Sequence, residues 1–308
     1  MPDAKEIKGR IKSVSETQKI TNAMYLIAST KLQKAKRELD ASRPYFDTLR
    51  SEVRRILWTI DEVKSRYLFK DEREIDRDKV GCLVITADKG LAGAYNINVL
   101  KEADRLLTEH KDVKLFVVGE YGRQHFHQRG IPIDKSFLYT AQNPTLARAR
   151  DISEYILELF DNEELDEIFL IYTDMKNGMN VETKLTRLLP FHESHFAGGR
   201  GDNDADFEFY PNAHTILDIL ISNYVTGFIH SALVDSFCCE QNARMTAMDS
   251  ANRNSEKILD TLSLQYNQVR QAAITREITE VSAGAKAQRK KREQRKRMMQ
   301  AKAEEAVN

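Results

Sequence analysis

The chain has few residues that break helices, and those it has are concentrated in its centre. Ten of the 13 glycines in 308 residues lie between residues 81 and 201. From residue 10 to residue 80 there is no glycine and one proline, Pro44, and from residue 212 to residue 283 there is no proline and one glycine, Gly227. Uninterrupted stretches of this length indicate two extended helical arms on either side of an interrupted centre.

Cysteine and long apolar runs are also scarce. The three cysteines, Cys82, Cys238 and Cys239, are too few for a disulfide framework, which favours a reducing compartment. The longest near-apolar run, residues 80–87, is too short to span a bilayer, and the N-terminus lacks the apolar region of a secretory signal. Because 41% of the residues are hydrophobic, a disordered chain is excluded.

The formal net charge is zero, but the charges are unevenly distributed. Residues 1–60 hold 13 basic and 7 acidic side chains, and residues 270–308 hold 11 and 5. The intervening residues hold 23 basic and 35 acidic side chains. Two basic ends around an acidic middle carry information about partners rather than about the fold.

The N-terminal arm has apolar residues at alternating steps of four and three, with 13 of 16 positions apolar. The positions are Ile7, Ile11, Val14, Gln18, Thr21, Tyr25, Ala28, Leu32, Ala35, Leu39, Ser42, Phe46, Leu49, Val53, Ile56 and Ile60. A 3.5-residue repeat kept over this length predicts a coiled-coil seam. The alternative is a long amphipathic helix lying on a globular body.

The C-terminal arm has a weaker seam of the same spacing, with 11 of 16 positions apolar. The positions are Leu220, Tyr224, Gly227, Ser231, Val234, Cys238, Gln241, Met245, Met248, Asn252, Ser255, Leu259, Leu262, Tyr266, Val269 and Ala273. Small Gly227 and Ser231 allow close approach of a neighbour, and polar Gln241, Asn252 and Ser255 can define the register. The arms are expected to pair antiparallel, since a globular insert joins them.

The centre alternates strand and helix patterns, which predicts a mostly parallel, Rossmann-like sheet covered by helices. Strands are expected at residues 79–87, 113–118 and 167–172, with an antiparallel edge strand at 181–189. Helices are expected at 97–110, 120–129 and 146–160, and an acidic loop at 192–208. The fold class is thus α/β plus a long coiled coil. We expect four segments: 1–62, 63–210, 211–286 and a basic extension, 287–308.

No catalytic or cofactor site can be argued from the motifs. The turn after the first strand, residues 88–93, is glycine-containing, but neither phosphate-binding glycine fingerprint is present, so a tight turn is the favoured interpretation. His125, His127, His192 and His195 lack the spacing of a metal site and are expected on the surface. Asp202, Asp204 and Asp206 lack the glycine and closing glutamate of a calcium loop. We expect no cofactor and no metal.

Both arms carry long motifs that resemble one family. EIKGRIKSVSETQKITNAMYLIASTKLQKA at residues 6–35, followed by SRPY at 42–45, resembles the N-terminal helix of the gamma subunit of F-type ATP synthases. ARMTAMDSANRNSEKILDTLSLQYNQVRQAAITREITEVSAGA at 243–285 resembles that family's C-terminal helix, and ITADKGLAGAYNIN at 85–98 its first strand and turn. The resemblance covers residues 5 to 286 in order.

This resemblance implies a function without catalysis by this chain. The family's gamma subunit is a rotary shaft that enters a hexamer of three alpha and three beta subunits, which carry the nucleotide sites. Its α/β domain, with the epsilon subunit, rests on the ring of membrane c subunits. The chain is therefore expected to be a peripheral protein at the cytoplasmic face of the cell membrane, with no small-molecule substrate of its own.

The matched motifs also imply which residues contact partners. Met24 corresponds to a shaft position at which the family is sensitive to an added charge. Positions that face the beta subunits in the family correspond to Arg244, Arg270, Gln271, Thr275 and Glu277. Contact with the c-ring or the epsilon subunit is expected, from position alone, at Phe207, Phe209 and Tyr210.

Two other functions stay open from the sequence. A nucleotide-dependent enzyme built on the α/β centre is disfavoured because the phosphate fingerprints are missing. A coiled-coil nucleic-acid-binding protein would use the segment 286–302, which has nine Lys or Arg residues and one acid. No aromatic residue lies among these charges to stack on bases, so nucleic acid is disfavoured as a partner. A solvated helical extension is the simpler interpretation of the segment. The family chain ends near Gly284 and Ala285, so the extension lies outside the resemblance.

Overall fold

The computed structural model describes residues 3–59, 65–69, 78–110, 112–138, 141–176, 180–196, 209–210 and 212–305. The chain divides into two compact units. The hairpin unit comprises Met1–Asn22 and Ser250–Asn308, and the body unit comprises Ala23–Asp249. The first and last helices each contribute residues to both units.

Five α-helices and seven strands make up the described residues. The helices are α1 (Ala4–Thr59), α2 (Tyr95–Glu109), α3 (Glu120–Gln128), α4 (Leu146–Asp161) and α5 (Ala213–Glu305). The strands are β1 (Leu68–Phe69), β2 (Val80–Ile85), β3 (Val113–Val118), β4 (Lys135–Phe137), β5 (Glu167–Lys176), β6 (Asn180–Leu189) and β7 (Phe191–His192). A short 3₁₀ helix, Glu193–Phe196, follows β7.

In the hairpin unit, α1 and α5 meet along the predicted seams. Ile7 and Ser255 are buried, and the other seam positions from Ile11 to Thr21 and from Asn252 to Val269 are half-buried. The Thr21 hydroxyl donates to the Asn252 side-chain oxygen, and the Gln18 amide lies 3.5 Å from the Glu256 carboxylate. Partner numbers fall along α5 as they rise along α1, which confirms antiparallel pairing.

In the body unit, the same seams are packed more tightly. Leu32 and Ala35 of α1 form a buried cluster with Val234, Phe237 and Cys238 of α5. A Cβ atom added at Gly227 would lie 2.1 Å from two ring carbons of Phe46. The prediction that Gly227 permits close approach is therefore confirmed, and the residue that approaches it is Phe46.

The centre of the body unit is a five-stranded sheet in the order β4-β3-β2-β5-β6. Strands β4, β3, β2 and β5 run parallel, and β6 pairs antiparallel with β5 at the edge. Every residue of β2 is buried, as expected for a central parallel strand covered on both faces. The predicted α/β centre and its antiparallel edge strand are confirmed. The short strands β1, β4 and β7 were not predicted.

Helices cover both faces of this sheet. Cys82 and Val84 of β2 point to one face, where they pack with Val99 and Ala103 of α2 and with Phe126 of α3. On the other face, alternate residues of β2 pack against α4, α5 and α1 in the larger core. The C-terminal part of α1 and the N-terminal part of α5 are thus integral to the globular fold.

Among the described residues, one helix, α5, is long and apolar enough by composition to cross a membrane, with an 18-residue window of mean hydropathy 1.3. The expectation that residues 80–87 are the longest near-apolar run is therefore wrong, because the window in α5 is longer. Half of that window is buried inside the protein itself. Leu217, Ile221, Val225 and Ile229 are fully buried in the larger core, which accounts for the apolar character of this part of α5.

The expected acidic loop, residues 192–208, is only partly described. Its start is ordered differently from the prediction, because His192 belongs to β7 and residues 193–196 form the 3₁₀ helix. Arg50 and Arg54 of α1 donate to the carbonyl oxygens of His195 and Phe196, at 2.7 and 2.9 Å. These bonds give two backbone carbonyl groups of the turn a hydrogen-bond donor. Asp202, Asp204 and Asp206 lie outside the described residues.

Candidate partner-binding surfaces

The loop between β2 and α2, residues 88–93, presents an exposed apolar side chain from an unusual backbone. Leu91 has a φ of 61° and its side chain is 65% exposed. Gly93 has a φ of 54°, a conformation in which glycine is favoured. Positive φ at a leucine costs energy and is kept where surrounding contacts enforce it. One such contact is Asp88, whose carboxylate accepts a hydrogen bond from the Glu120 backbone N–H at 3.0 Å.

Arg244 of α5 holds this loop in place. Its guanidinium donates to the carbonyl oxygens of Lys89 and Gly90, at 3.3 and 3.1 Å. It also forms an ion pair with Glu240, one turn earlier on α5. The two side chains are only 11% and 8% exposed. Burial raises the pKa of Glu240, and the neighbouring Arg244 opposes that rise. Arg244 is thus a largely buried residue that links α5 to the loop.

Met24, a predicted contact residue, lies half-buried on α1 beside a cavity of about 210 Å³. All the residues that line the cavity belong to the body unit, and they include both apolar and charged side chains. Its lining residues are Met24, Ile27, Ala28, Lys31, Asp88, Lys89, Gln142, Phe237, Glu240, Gln241 and Arg244. The structure therefore places Met24 and Arg244, which are 220 positions apart in the sequence, at one site.

The remaining predicted beta-subunit contacts lie on α5 in the hairpin unit. Arg270, Gln271, Thr275 and Glu277 are all exposed. Every described residue from 271 to 295 is exposed as well. Apolar side chains on this stretch include Ile274, Ile278 and Val281, which are 47%, 61% and 72% exposed. This surface is available to a partner, in contrast to the side chain of Arg244.

The residues expected near the c-ring differ in how much of their surface is exposed. Tyr210 is 93% exposed. Phe209 is half-buried against the larger core, and it lines a cavity of about 230 Å³ with Ile56, Ile216 and Leu220, among others. Phe207 lies outside the described residues. Of the two described aromatic residues, only Tyr210 offers most of its surface to a partner.

The histidines do not converge on a site. Within the part of the chain that the structure describes, no group of three or more His, Cys, Asp or Glu side chains is arranged to hold a metal ion. The expectation of surface histidines is wrong for His125, which is half-buried, and for His195. The His195 side chain is half-buried, with its ring 5.2 Å from Phe191 and its Nε2 3.0 Å from the Tyr224 hydroxyl. Burial, with a contribution from Arg50, lowers the pKa of His195.

Sequence reasoning missed Glu240 and the loop at residues 88–93 as parts of the Arg244 site. Glu240 and Arg244 are four residues apart on a helix, which is the spacing of an intrahelical ion pair. That signal was available in the sequence. The contact between Arg244 and the carbonyls of Lys89 and Gly90 was not, because it joins positions more than 150 residues apart.

Comparison with known sequences gives one consistent family. The family model described as ATP synthase matches residues 3–288. The ATP synthase gamma chain of Acetivibrio thermocellus is 40% identical over 294 residues, which cover 93% of this chain and 99% of that one. The sodium-ion-specific ATP synthase gamma chain of Acetobacterium woodii is 36% identical over 301 residues, covering 92% and 98%.

Comparison with solved structures gives the same fold at low sequence identity. A chain of the Euglena gracilis mitochondrial ATP synthase, solved as OSCP, F1 and c-ring in rotational state 3, matches with a TM-score of 0.65 and 16% identity. The match covers 92% of this chain and 94% of that chain. A chain of the central stalk and c-ring of the Tetrahymena thermophila mitochondrial enzyme matches with a TM-score of 0.55 and 22% identity, covering 75% and 99%.

Proposed function

Because this chain belongs to the ATP synthase gamma-chain family, we propose that it works as the central shaft of an F-type ATP synthase. It is a non-catalytic subunit of that membrane-associated complex, whose beta subunits carry out catalysis. Its partners are the alpha/beta hexamer and the c-ring. The observation that carries the proposal is the 40% identity to the Acetivibrio thermocellus gamma chain over 93% of this chain.

The shaft acts by favouring a different conformation in each of the three identical beta subunits. A single asymmetric chain cannot make the same contacts with three identical beta subunits at once. Each beta subunit is therefore biased towards a different conformation, by an amount equal to its differential contact free energy with the shaft. Rotation moves this bias around the hexamer, so that nucleotide affinity at each site changes in turn.

The hairpin unit has the surface expected of such a shaft. Its two helices are held together by a narrow seam that includes the polar pair Thr21 and Asn252. The rest of its surface is mostly polar and charged. A large apolar interface would hold one orientation too strongly and oppose rotation, whereas a polar surface permits contacts to be exchanged. This supports a role in repeated contact rather than permanent docking.

We assign beta-subunit contacts to two places on the chain. Arg270, Gln271, Thr275 and Glu277 contact the beta subunits directly, a role supported by their exposure on α5. At the second place the contact surface is the loop at residues 88–93 with Met24 beside it. Arg244 acts there as a positioning residue, since its guanidinium is engaged with Glu240 and the loop carbonyls.

The part of the body unit around Tyr210 is assigned to the membrane side of the complex. Tyr210, with 93% of its surface exposed, is proposed to contact the c-ring or the epsilon subunit. Phe209 supports that region from within, by packing against the larger core. The chain is proposed to lie at the cytoplasmic face of the cell membrane as a peripheral subunit.

Reconstitution tests the proposal. The full-length chain is co-expressed with the alpha and beta subunits of the same organism, and only the gamma chain carries an affinity tag. We expect alpha and beta subunits to co-purify in a complex with ATPase activity. A matched preparation with an untagged gamma chain controls for non-specific capture. A tagged chain that purifies alone, or with subunits lacking ATPase activity, would contradict the proposed function.

A further inference from the structure

The cavity of about 210 Å³ beside Met24, which we call the Met24 cavity, lies at a switch point of the sheet. β2 connects through α2 to β3 on one side, whereas β5 pairs with the other side of β2. In α/β sheets, ligands bind outside the carboxyl ends of the strands at such a point. Asp88 and Lys89, which follow β2, line the Met24 cavity. Its place in the fold therefore favours a ligand-binding site.

The size of the Met24 cavity limits what it can hold. Residues of α1 and α5 close it on the side away from the sheet. A second cavity of about 140 Å³ adjoins it, because Lys31, Gln142 and Phe237 line both. Pockets that bury a drug-sized molecule hold about 300–1,000 Å³. The Met24 cavity therefore suits a small ring or a short chain and not a whole nucleotide, which agrees with the missing phosphate fingerprints.

The charged groups around the Met24 cavity disfavour an ionic ligand. Arg244 and Glu240 already form an ion pair with each other. The remaining charges have both signs, since Lys31 and Lys89 line the cavity together with Asp88. A bound anion would lie near Asp88 and Glu240, and a bound cation would lie near the two lysines. Because an uncompensated charge is costly to remove from water, a neutral ligand is favoured.

A buried amide supplies the polar contact in the Met24 cavity. Gln241 lines the cavity and is only 3% exposed. None of the hydrogen bonds within the described residues uses its side-chain amide. An amide has both donors and an acceptor, and a buried polar group without a partner is unfavourable. A ligand that carries an amide of its own would satisfy Gln241 with a pair of hydrogen bonds. Apolar walls come from Met24, Ile27, Ala28 and Phe237.

We propose that the Met24 cavity binds a small neutral molecule in which an apolar ring or chain carries a primary amide. The ligand amide pairs with the side chain of Gln241, and its apolar part packs against Ile27 and Phe237. A ligand in this position contacts α1, α5 and the loop at residues 88–93 at the same time. It therefore holds the loop against the two helices, in addition to the bonds from Arg244.

The test uses three planar molecules of nearly equal shape and different charge: neutral benzamide, the benzoate anion and the benzamidinium cation. The full-length chain is labelled with ¹³C at its methionine methyl groups, and the Met24 resonance is assigned by its loss in Met24→Leu. Titration with each molecule gives a dissociation constant from the shift of that resonance. Gln241→Met approximately keeps the side-chain volume and removes the amide. Gln128→Met, at an exposed position of α3, is the matched control.

We expect a saturable shift of the Met24 resonance with benzamide, and an affinity about tenfold higher than for either ion. Gln241→Met should weaken benzamide binding about tenfold, because a pair of hydrogen bonds is lost, and Gln128→Met should not change it.

Tighter binding of either ion would overturn the assignment of a neutral ligand. Unchanged benzamide affinity in Gln241→Met would overturn the role of the amide, and the absence of a saturable shift with all three molecules would overturn the site itself. Because the chain is titrated without alpha and beta subunits, these results are independent of the proposed function.

Discussion

The same 3.5-residue repeat is used in two different ways in the hairpin unit and the body unit. In the hairpin unit, α5 buries a narrow line of residues, such as Ser255, and exposes the remainder. In the body unit, α5 is buried on several sides, because it packs against α1 and also against the sheet. The periodicity is continuous along the helix, whereas the amount of buried surface is not.

The difference separates stability from function along one helix. Burial of apolar area stabilises a fold in proportion to the area removed from water, so the body unit carries most of the stabilisation. The narrow seam of the hairpin unit buries less and includes Thr21 and Asn252, which fix register more than they add stability. Its exposed surface is left for partners.

A matched pair of leucine truncations tests this comparison most strongly. Leu49 on α1 is 8% exposed and belongs to the larger core of the body unit. Leu259 on α5 is a half-buried seam residue of the hairpin unit. We expect Leu49→Ala to lower the free energy of unfolding by about 3 kcal/mol. Leu259→Ala should cost about 1 kcal/mol, because less area is removed from the interior. Urea denaturation measures both, and equal losses would contradict the comparison.

A pair of arginines distinguishes positioning from contact. Arg244→Ala leaves the buried Glu240 without its ion-pair partner, so we expect a loss of roughly 2–3 kcal/mol in unfolding free energy. Arg270→Ala, on the exposed surface of the hairpin unit, should change stability by less than about 0.5 kcal/mol. Both variants should lower ATPase activity of the reconstituted complex. A stable Arg244→Ala protein would mean that its ion pair and loop contacts contribute little.

Two glycines on α5 provide the third test. A Cβ at Gly227 would collide with the Phe46 ring, which is itself packed near Tyr45 and His230. Gly227→Ala should therefore cost about 1–3 kcal/mol through overpacking. A Cβ at Gly284 would meet no atom within 4 Å, so Gly284→Ala should stabilise the helix by up to about 1 kcal/mol. Thermal unfolding followed by circular dichroism would show opposite shifts. Combining Gly227→Ala with Phe46→Leu should recover part of the loss.

The last expected effect is a pH dependence confined to the body unit. Burial, reinforced by Asp174, raises the pKa of Asp235 from 3.8 to about 6, while Arg43 and Lys184 oppose the rise. Because the folded protein holds this proton more tightly than the unfolded chain, the stabilising contribution is present below about pH 4 and is lost as pH rises to about 6.

Asp235→Asn removes this titration, so the variant should gain stability relative to the parent as the pH rises from 4 to 7. The measurement is urea denaturation at several pH values. Asp260→Asn, at an exposed position of the same helix, is the matched control. A difference between parent and Asp235→Asn that does not change with pH would contradict the assignment.

Local patterns in the sequence were sufficient for much of the fold. The seams predicted burial as far as Val269, since period and burial have the same cause in a paired helix. The predicted strand at residues 113–118 matches β3 at both ends. Strand β4 was missed because three residues, Lys135–Phe137, carry too little pattern, and their pairing with β3 is a tertiary contact.

The site was predictable only in part. Arg270 and Gln271 lie on the exposed surface where the family motif placed them, but their contacts with beta subunits stay predictions. For Arg244, the motif indicated the position and not its surroundings. Its partners Lys89 and Gly90 come from a distant loop, and only the folded chain brings their carbonyl oxygens to the guanidinium.

Rotation of this chain inside its complex tests the central claim most directly. Its three cysteines are all buried, so a cysteine introduced at the exposed Lys101 of α2 can be labelled selectively with a fluorescent or bead probe. The complex with alpha and beta subunits is immobilised through the beta subunits and supplied with ATP. The account predicts continuous rotation of the probe in one direction. ATP hydrolysis by the same molecules with a stationary probe would contradict it.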